Sequence, residues 1–406
     1  DDTIVIVGNP FIGNQLEGFW EIFTTPYFAY QPSPGLYRPL TIASYALNAF
    51  IFGQSPAGFH IVNILFHAAT SFLVFVLLYR LTGKMSAFVG FLFFMFLPIH
   101  TEAVTSIVGR AEILSLLFTV GALLLVLKKK YVLASGIFFL GLLSKEMAVA
   151  FLPIFLFLEL YHHKKDARSA AKNSLYFLPP VVLYAILRYV ALGKHFLSND
   201  ATEIYNPIKF APLLTGLWTS FKVLCLYLEK TFVPLSFSND YSFNQIPLTE
   251  NPATSIETIL GFLTLGLLVL LFFKTKNFLI KFGVLIFLSS YFVISNWVFK
   301  TGTIMAERLM YAPSLGLVIL AALFINNSKF KILNSKFIYI GLTALFAWYG
   351  YVIIDRNRDW LNNENLYKSA YAAAPNSIVN QVNKAYLDFA AGNYNEAEEK
   401  LNKVLN

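Results

Sequence analysis

Two neighbouring carboxylates, Asp1 and Asp2, open the chain and are the residues best suited to acid and base chemistry. One carboxylate can accept the proton of an attacking hydroxyl while its neighbour positions a substrate or binds a metal ion. Taken alone, an acidic pair at a chain terminus is more often a solvated, frayed end. The catalytic interpretation therefore depends on which other residues the fold brings to the same place.

Further polar residues stand where apolar segments begin or end. His60, Asn63 and His67 recur at i, i+3 and i+7, which places them on one face of a helix. A buried structural network and a substrate-facing polar face explain that spacing equally well. The remaining groups are His100 with Glu102, Arg110 with Glu112, Lys145 with Glu146, and Glu307 with Arg308.

Ionisable residues at membrane depth are energetically costly, so a functional role is the first hypothesis for each of them. The planar donor fork of an arginine suits a phosphate, so Arg110 and Arg308 are candidate phosphate ligands. The alternative is a structural ion pair of these arginines with Glu112 or Glu307. Adjacent helical residues point in different directions, so Lys145 and Glu146 are each expected to have a separate partner. Helix capping and interfacial anchoring remain the alternative for every one of these groups.

The elements that hold these residues are predicted to be membrane helices. Of 406 residues, 57% are apolar, 17% are aromatic and only 13% are charged, about half the charged fraction of an average soluble domain. This composition excludes an ordinary soluble enzyme, a disordered chain and collagen. The net charge of +8 is explained by membrane topology, so nucleic-acid binding is not indicated. The single Cys225 allows no internal disulfide.

Ten stretches are predicted to span the membrane. They are 57–82, 85–100, 111–127, 131–144, 146–161, 174–193, 255–273, 277–299, 308–325 and 337–354. An eleventh, 211–233, carries three charges and could cross, re-enter or lie in the interface. If it does not cross, the lysine and arginine clusters between spans all fall on the cytoplasmic side, which favours about ten crossings. The segments 1–56, 98–110, 194–254 and 297–307 and the tail after 355 then share the extracytoplasmic face.

Two of these outer segments have a predicted structure of their own. Within the first extracytoplasmic loop, 1–56, Pro39 opens and Gly53 follows an amphipathic helix expected on the membrane surface. Residues 360–406 change abruptly to Asn, Ala, Lys and Glu, and Gly392 to Ala397 fit the turn of a tetratricopeptide repeat. An Ala-rich helical hairpin is the alternative. Because one repeat cannot bury its own face, we expect the array to continue past Asn406.

Taken in order, the motifs of the chain resemble those of the transmembrane and tetratricopeptide-repeat-containing family of GT-C glycosyltransferases, which is similar to the protein O-mannosyltransferases. The motifs are Asp1-Asp2, Tyr37-Arg38-Pro39-Leu40-Thr41, Pro98 to Val104, Gly109 to Glu112, Lys145-Glu146 and Ala306 to Ser314. The resemblance implies an all-α polytopic membrane protein. Its GT-C-type transmembrane helix bundle would occupy 1–354, with a soluble tetratricopeptide-repeat segment after it.

The same resemblance implies a reaction. A sugar, expected to be mannose, would move from a polyprenyl-phosphate donor to a Ser or Thr hydroxyl of an acceptor protein, with inversion by single displacement. Asp1 or Asp2 would be the catalytic base, and the repeats would bind the acceptor polypeptide. Donor or substrate binding would fall to Tyr37, Arg38, His60, Asn63, His67, His100, Glu102, Arg110, Glu112, Lys145, Glu146, Glu307 and Arg308. Some GT-C enzymes use a divalent metal, but none is favoured here.

Two other classes of protein remain open from the sequence. A transporter or lipid flippase would show internal repeats and ionisable residues at mid-bilayer, whereas this chain has no internal repeat and carries most charges at span ends. An inactive membrane scaffold for the repeats is the other alternative.

Overall fold

A computed structural model describes residues 3–13, 18–29, 35–162, 166–197, 202–326 and 335–405, so Asp1 and Asp2 lie outside the described residues. Within that part the chain is helical and has no strand, which confirms the all-α prediction. The first half contains α1 (Pro39–Phe52), α2 (Pro56–Leu81), α3 (Lys84–Phe96), α4 (Thr101–Thr105), α5 (Arg110–Val126), α6 (Tyr131–Ser144), α7 (Leu152–His162), α8 (Ala167–Ser174) and α9 (Leu178–Leu192). The second half contains α10 (Leu213–Phe232), α11 (Ile256–Lys274), α12 (Phe278–Ile294), α13 (Tyr311–Asn326), α14 (Ser335–Asp359), α15 (Asn363–Ala373), α16 (Ile378–Ala390) and α17 (Tyr394–Leu405).

Several of these helices are long and apolar enough to cross a membrane, so the chain is a multi-pass membrane protein. By length and composition, four helical stretches of the described chain qualify. They are Pro56–Leu81, Ile107–Val126, Ala167–His195 and Ile256–Lys274. A fifth crossing exists if Lys84–Phe96 and Pro98–Thr105 form one span bent by 48°. All ten predicted segments contain a helix, but some are short, such as α6 with 14 residues, so ten crossings stay a prediction.

The turns between helices gather at two ends of the bundle. Helices α5 and α6 run between these ends, because Glu112 at the start of α5 contacts Lys145 just after α6. The turn between them, Lys128 to Lys130, lies at the other end. We call the end that carries Glu112 and Lys145 the site end, and the end that carries the three lysines the lysine end. Which of them faces the cytoplasm remains a prediction from the charge pattern.

The core of the bundle depends on close helix approaches. Helices α12 and α13 cross at two glycines, and a methyl group on Gly316 would lie 2.4 Å from the carbonyl oxygen of Gly283. Only glycine permits this contact at Gly316. The approach packs tightly the two helices that the segment 295–310 connects at the site end.

Helix α1 has the predicted bounds, with Pro39 in its first turn and Gly53 after its end at a φ of +66°. Its two faces differ from those of an ordinary amphipathic helix. Polar Thr41 and Asn48 are buried against the bundle, whereas Phe50 and Ile51 are exposed. Most of the other buried side chains of α1 are apolar, so apolar residues occupy both faces, as expected of a helix whose outward solvent is lipid.

Helix α10 contacts the site end both in its first turn and in its second half. Gly216 in its first turn lies beside Lys300, and the Tyr227 hydroxyl donates to the carbonyl oxygen of Ala306 at 3.1 Å. A helix that crossed the bilayer would leave this end after its first turns. The contacts therefore favour the interpretation in which 211–233 does not cross.

The tail begins without a break in the backbone. Helix α14 continues past 354, the predicted end of the last span, to Asp359, and α15 starts four residues later. Helices α16 and α17 form a hairpin whose turn uses Gly392 at a φ of +83°. Ala397 is 3% exposed, as its small size in the predicted repeat requires. The assignment of the tail to tetratricopeptide repeats stays a prediction.

Candidate active site

Four cations and four carboxylates from separate elements meet at the site end, and each cation has an acidic partner. The pairs are Arg38 with Glu146, Lys145 with Glu112, Arg308 with Glu102, and Arg356 with Glu307. Arg38 and Arg308 are close enough for their charges to repel. The pairs thus form one electrostatic cluster.

The first pair joins the turn before α1 to the turn after α6. Arg38 donates from Nε and Nη2 to the two oxygens of Glu146, at 3.1 and 2.6 Å. Burial alone would lower the pKa of Arg38, but the carboxylate of Glu146 outweighs that effect and holds it above its usual value. Both side chains keep an exposed portion, 13% for Arg38 and 31% for Glu146. The neighbouring Tyr37 is buried and donates its hydroxyl to Phe23 O at 2.7 Å.

Lys145 and Glu146 have separate partners, as the sequence predicted. The ammonium of Lys145 contacts Glu112, and both side chains are nearly inaccessible, at 6% and 4% exposed. A buried pair of this kind holds α5 against the end of α6. It also removes Glu112 as a partner for Arg110, one of the two pairings considered from the sequence.

Arg308 pairs with Glu102 and not with its neighbour Glu307. Glu102 accepts the backbone N–H of Arg308 at 2.8 Å and also its guanidinium. The carboxylate is 1% exposed, whereas the arginine side chain is 28% exposed. Arg308 therefore lies at the surface of the site end while its inner edge is fixed.

Glu307 faces the opposite way, toward the tail. Its Oε1 accepts from Ser238 N at 2.8 Å and from the Tyr241 hydroxyl, and its Oε2 lies 3.8 Å from Nη2 of Arg356. Burial raises the pKa of Glu307 to about 7, against the opposing charge of Arg356. The pairing of Arg308 with Glu307 is thus corrected: two adjacent residues serve two different contacts.

Arg110 is completely buried and its donors are used inside the protein. Its Nε donates to Asn63 Oδ1 at 2.7 Å, and its Nη2 donates to Asn48 Oδ1 at 2.8 Å and to Phe59 O at 3.0 Å. Its Nη1 donates to Ser44 O at 3.1 Å, and the guanidinium lies over the Tyr45 ring. The expectation that Arg110 grips a donor phosphate disagrees with this geometry, in which it fastens α1 and α2 to α5.

The predicted histidine positions belong to a second buried network. His67 Nδ1 lies 2.8 Å from the Tyr311 hydroxyl, and His100 Nε2 lies 2.7 Å from Ser314 Oγ. His67 is 8% and His100 2% exposed, so both occupy the interior between α2, α3 and α13. His60, on the same face of α2, is only half-buried. Asn63 and His67 thus belong to buried structural networks, which was one of the two explanations of their spacing.

Some residues of the cluster were missed by sequence reasoning. Arg356 is 4% exposed and contacts both Glu307 and Asp359, yet it follows the last predicted span as one of several charges. Its spacing of i, i+3 with Asp359 was a usable signal, because it indicates that the helix continues. Asn48 and Tyr241 carry no such signal, since their partners are 62 and 66 positions away.

A metal site was not favoured from the sequence. Among the residues that the structure describes, no three His, Cys, Asp or Glu side chains are grouped as metal ligands. Because Asp1 and Asp2 are not among them, metal independence stays a prediction.

Comparison with known proteins places the chain beside a set of curated relatives. It is 28% identical over 394 residues to a protein O-mannosyl-transferase of Caenorhabditis elegans, covering 92% of this chain and 54% of that protein. It is 26% identical to protein O-mannosyl-transferase TMTC3 of Mus musculus, covering 84% of this chain and 41% of the relative. It is 25% identical to TMTC1 of Homo sapiens, covering 95% and 50%. The chain spans about half of the length of these relatives. No family model and no solved structure matches.

Proposed function

Because the chain is a TMTC-like protein, similar to transmembrane and tetratricopeptide-repeat-containing O-mannosyl-transferases over most of its length, we propose that it is a membrane glycosyltransferase. It transfers mannose from a polyprenyl-phosphate donor to a Ser or Thr hydroxyl of an acceptor protein, on the extracytoplasmic face. The similarity is the observation that carries this proposal, since it covers 92% of the chain. The clustering of charged residues at one end of the bundle supports it.

The physical demands of such a donor fit the site end. A polyprenyl chain must stay in the bilayer while its phosphate and sugar reach water, so the reaction belongs at the membrane boundary. Among the cations of the four pairs, Arg308 and Arg38 have both an anchored inner edge and the larger exposed portions. We assign the donor phosphate to these two arginines. The buried pair of Lys145 with Glu112 lies close to Arg38 and Glu146.

The chemistry is a single displacement. The acceptor hydroxyl oxygen attacks the anomeric carbon, the bond from that carbon to the phosphate oxygen breaks, and the hydroxyl proton passes to a carboxylate of Asp1 or Asp2. The polyprenyl phosphate leaves with its added negative charge, which nearby guanidinium groups stabilise more in the transition state than in the ground state. The product sugar has inverted configuration.

The tail supplies the acceptor side of the proposal. Stacked helical hairpins present extended surfaces that bind extended polypeptides. The first helix of the tail, α15, is close to the site end, because Ser238 donates its N–H to Glu307 and its hydroxyl to Ala370 O. An acceptor polypeptide held on the tail would therefore pass close to the bound donor.

The experiment that tests the proposal is sugar transfer by the purified chain in liposomes. The donor is a polyprenyl-phosphate mannose, the acceptor is a Ser/Thr-containing polypeptide, and parallel samples contain EDTA. We expect labelled acceptor with inverted configuration and no loss of rate with EDTA. Movement of the donor between leaflets without any transfer would instead identify a flippase.

A further inference from the structure

Residues 236–246 link the bundle to the tail and have buried polar side chains outside any helix. Ser238 is 0% and Ser242 1% exposed, and Tyr241 is 4% exposed. Buried polar groups in a loop must find partners within the protein. The partners lie in two places, one in the tail and one in the bundle.

Toward the tail, the loop makes main-chain hydrogen bonds of the kind that join secondary-structure elements. Asn244 N donates to Asn376 O at 3.0 Å, and Ile378 N donates to Phe243 O at 2.5 Å. Asn376 N also donates to the side chain of Gln245 at 3.0 Å. The loop is thus paired with the turn between α15 and α16.

Side chains reinforce this pairing at the start of α16. Ser377 Oγ donates to Asp240 Oδ1 at 2.7 Å and lies 2.8 Å from Ser242 Oγ. The fully buried amide of Asn380 lies 3.2 Å from both Ser238 Oγ and Asp240 O. These contacts replace water around the first turn of α16 with protein groups from the loop.

Toward the bundle, the same loop ends on the site. Ser238 N donates to Glu307 at 2.8 Å, and Tyr241 donates its hydroxyl to the same oxygen. Lys230 Nζ at the end of α10 donates to Ser236 O at 2.8 Å. Glu307 directly precedes Arg308, so the loop contacts the backbone segment that carries a proposed phosphate ligand.

The tail is therefore attached twice, once through the continuous helix α14 and once through this loop. A single attachment leaves the tail free to rotate about its linker, whereas two separate attachments fix its orientation. We propose that residues 236–246 are a clasp that positions the tail, so that an extended acceptor polypeptide bound there meets the site in one register. This role rests on the proposed function. It makes Asp240 and Gln245 positioning residues that select which hydroxyl is glycosylated.

The clasp can be opened and locked by substitution. Asp240 and Gln245 are both half-buried, and Asp240→Ala with Gln245→Ala removes the acceptors of Ser377 Oγ and Asn376 N without touching the bundle core. Ser242→Cys with Ser377→Cys, in a Cys225→Ser background, places two thiols where the hydroxyl oxygens are 2.8 Å apart, close to the about 2 Å of a disulfide. Glu364→Ala, an exposed acidic residue of the tail, is the matched control.

Transfer is measured with a short Ser peptide and with a long polypeptide acceptor. The variant with Asp240→Ala and Gln245→Ala is expected to keep the wild-type rate on the short peptide and to lose about tenfold or more on the long acceptor. The reason is that the rate gained by holding an acceptor on the tail depends on the geometry of the tail. When Ser242→Cys and Ser377→Cys are added to this variant, disulfide formation is expected to restore transfer to the long acceptor, and reduction of the disulfide is expected to abolish the restored transfer. Glu364→Ala should behave like wild type on both acceptors.

Two results would overturn the clasp. One is equal loss on both acceptors that the disulfide does not rescue. The other is loss of long-acceptor transfer when the disulfide forms in a chain that keeps Asp240 and Gln245. That result would mean that the tail must leave the clasp during the reaction. Absence of transfer by the unmodified chain would count against the proposed function itself, and failure of the cysteines to cross-link would count against the clasp alone.

Discussion

Glu102 holds Arg308 by two hydrogen bonds, one from the backbone N–H at 2.8 Å and one from the guanidinium. The two residues are 206 positions apart, so the contact ties the short helix α4 to the turn before α13. The carboxylate is buried and the arginine is 28% exposed. One edge of the guanidinium is thus fixed by the protein, which is the preorganisation that a phosphate ligand requires.

The first prediction concerns Arg308. Arg308→Ala should raise the apparent donor KM about tenfold or more, since a hydrogen bond to a charged group contributes about 1.5–3 kcal/mol. Arg308→Lys should be nearly as harmful, because an ammonium cannot reproduce the planar fork. Donor kinetics and melting temperature are measured on the same preparations, with Arg358→Ala as an exposed control at the same end. An unchanged donor KM in a folded Arg308→Ala protein would remove this residue from the site.

The second prediction concerns Arg110, for which a structural role is expected. Arg110→Ala strands the amide oxygens of Asn63 and Asn48 and opens a cavity, so the free energy of unfolding should fall by about 3 kcal/mol or more. Arg80→Ala, an exposed arginine at the lysine end, should change it by less than about 0.5 kcal/mol. Thermal unfolding in detergent measures both. A variant of Arg110 that melts like wild type but binds the donor weakly would contradict this role.

The third prediction separates a charge pair from packing. Glu112→Ala leaves the ammonium of Lys145 buried without its partner, which should cost about 3–5 kcal/mol of stability. Replacing both residues by apolar ones, Glu112→Leu with Lys145→Met, should recover most of that loss. The measurement is the unfolding transition of the single and double variants. If the double variant is as unstable as the single one, Lys145 has a further partner that matters more.

The fourth prediction follows from the raised pKa of Glu307, about 7. The folded protein binds this proton more tightly than the unfolded chain does, so protonation favours the folded state. Stability should therefore rise as pH falls from about 8 toward 5, and level off below the ordinary carboxyl pKa of about 4.3. Glu307→Gln should remove this part of the pH dependence. Identical pH profiles of the melting temperature in both proteins would contradict the assignment.

The fifth prediction concerns orientation. In a Cys225→Ser background, Glu364→Cys in the tail should react with an impermeant thiol reagent from the extracytoplasmic side, and Lys129→Cys at the lysine end only after permeabilisation. Both positions are exposed, so burial does not confuse the result. The reverse pattern would place the site end in the cytoplasm.

Much of the fold was predictable because membrane helices have a strong local signal. The bounds of α1 followed from Pro39 and Gly53. The separate partners of Lys145 and Glu146 were predicted for helical residues, but the reason differs, because Lys145 is extended between α6 and the next helical turn. The pairing of particular charges was not predictable. Arg308 could have paired with Glu307 or Glu102, and the contact of α4 with the turn before α13 decides between them.

The clasp was not predictable from the sequence either, because it also depends on contacts between distant parts of the chain. Asp240 and Ser377 lie 137 positions apart, and neither stands in a motif or a periodic pattern. Their contact depends on where α14 directs the tail. That direction is a property of the whole bundle and leaves no trace in the residues around either position.

The central claim, sugar transfer with Asp1 or Asp2 as the base, is tested most directly by transfer from polyprenyl-phosphate mannose in liposomes. The wild-type chain is compared with Asp1→Asn and Asp2→Asn, and with Asp355→Asn as an exposed acidic control. We predict mannosylated acceptor of inverted configuration from the wild type and the control, and a loss of about 10²- to 10⁴-fold in at least one terminal variant. Wild-type rates in both terminal variants, or no transfer by the wild type, would contradict the account.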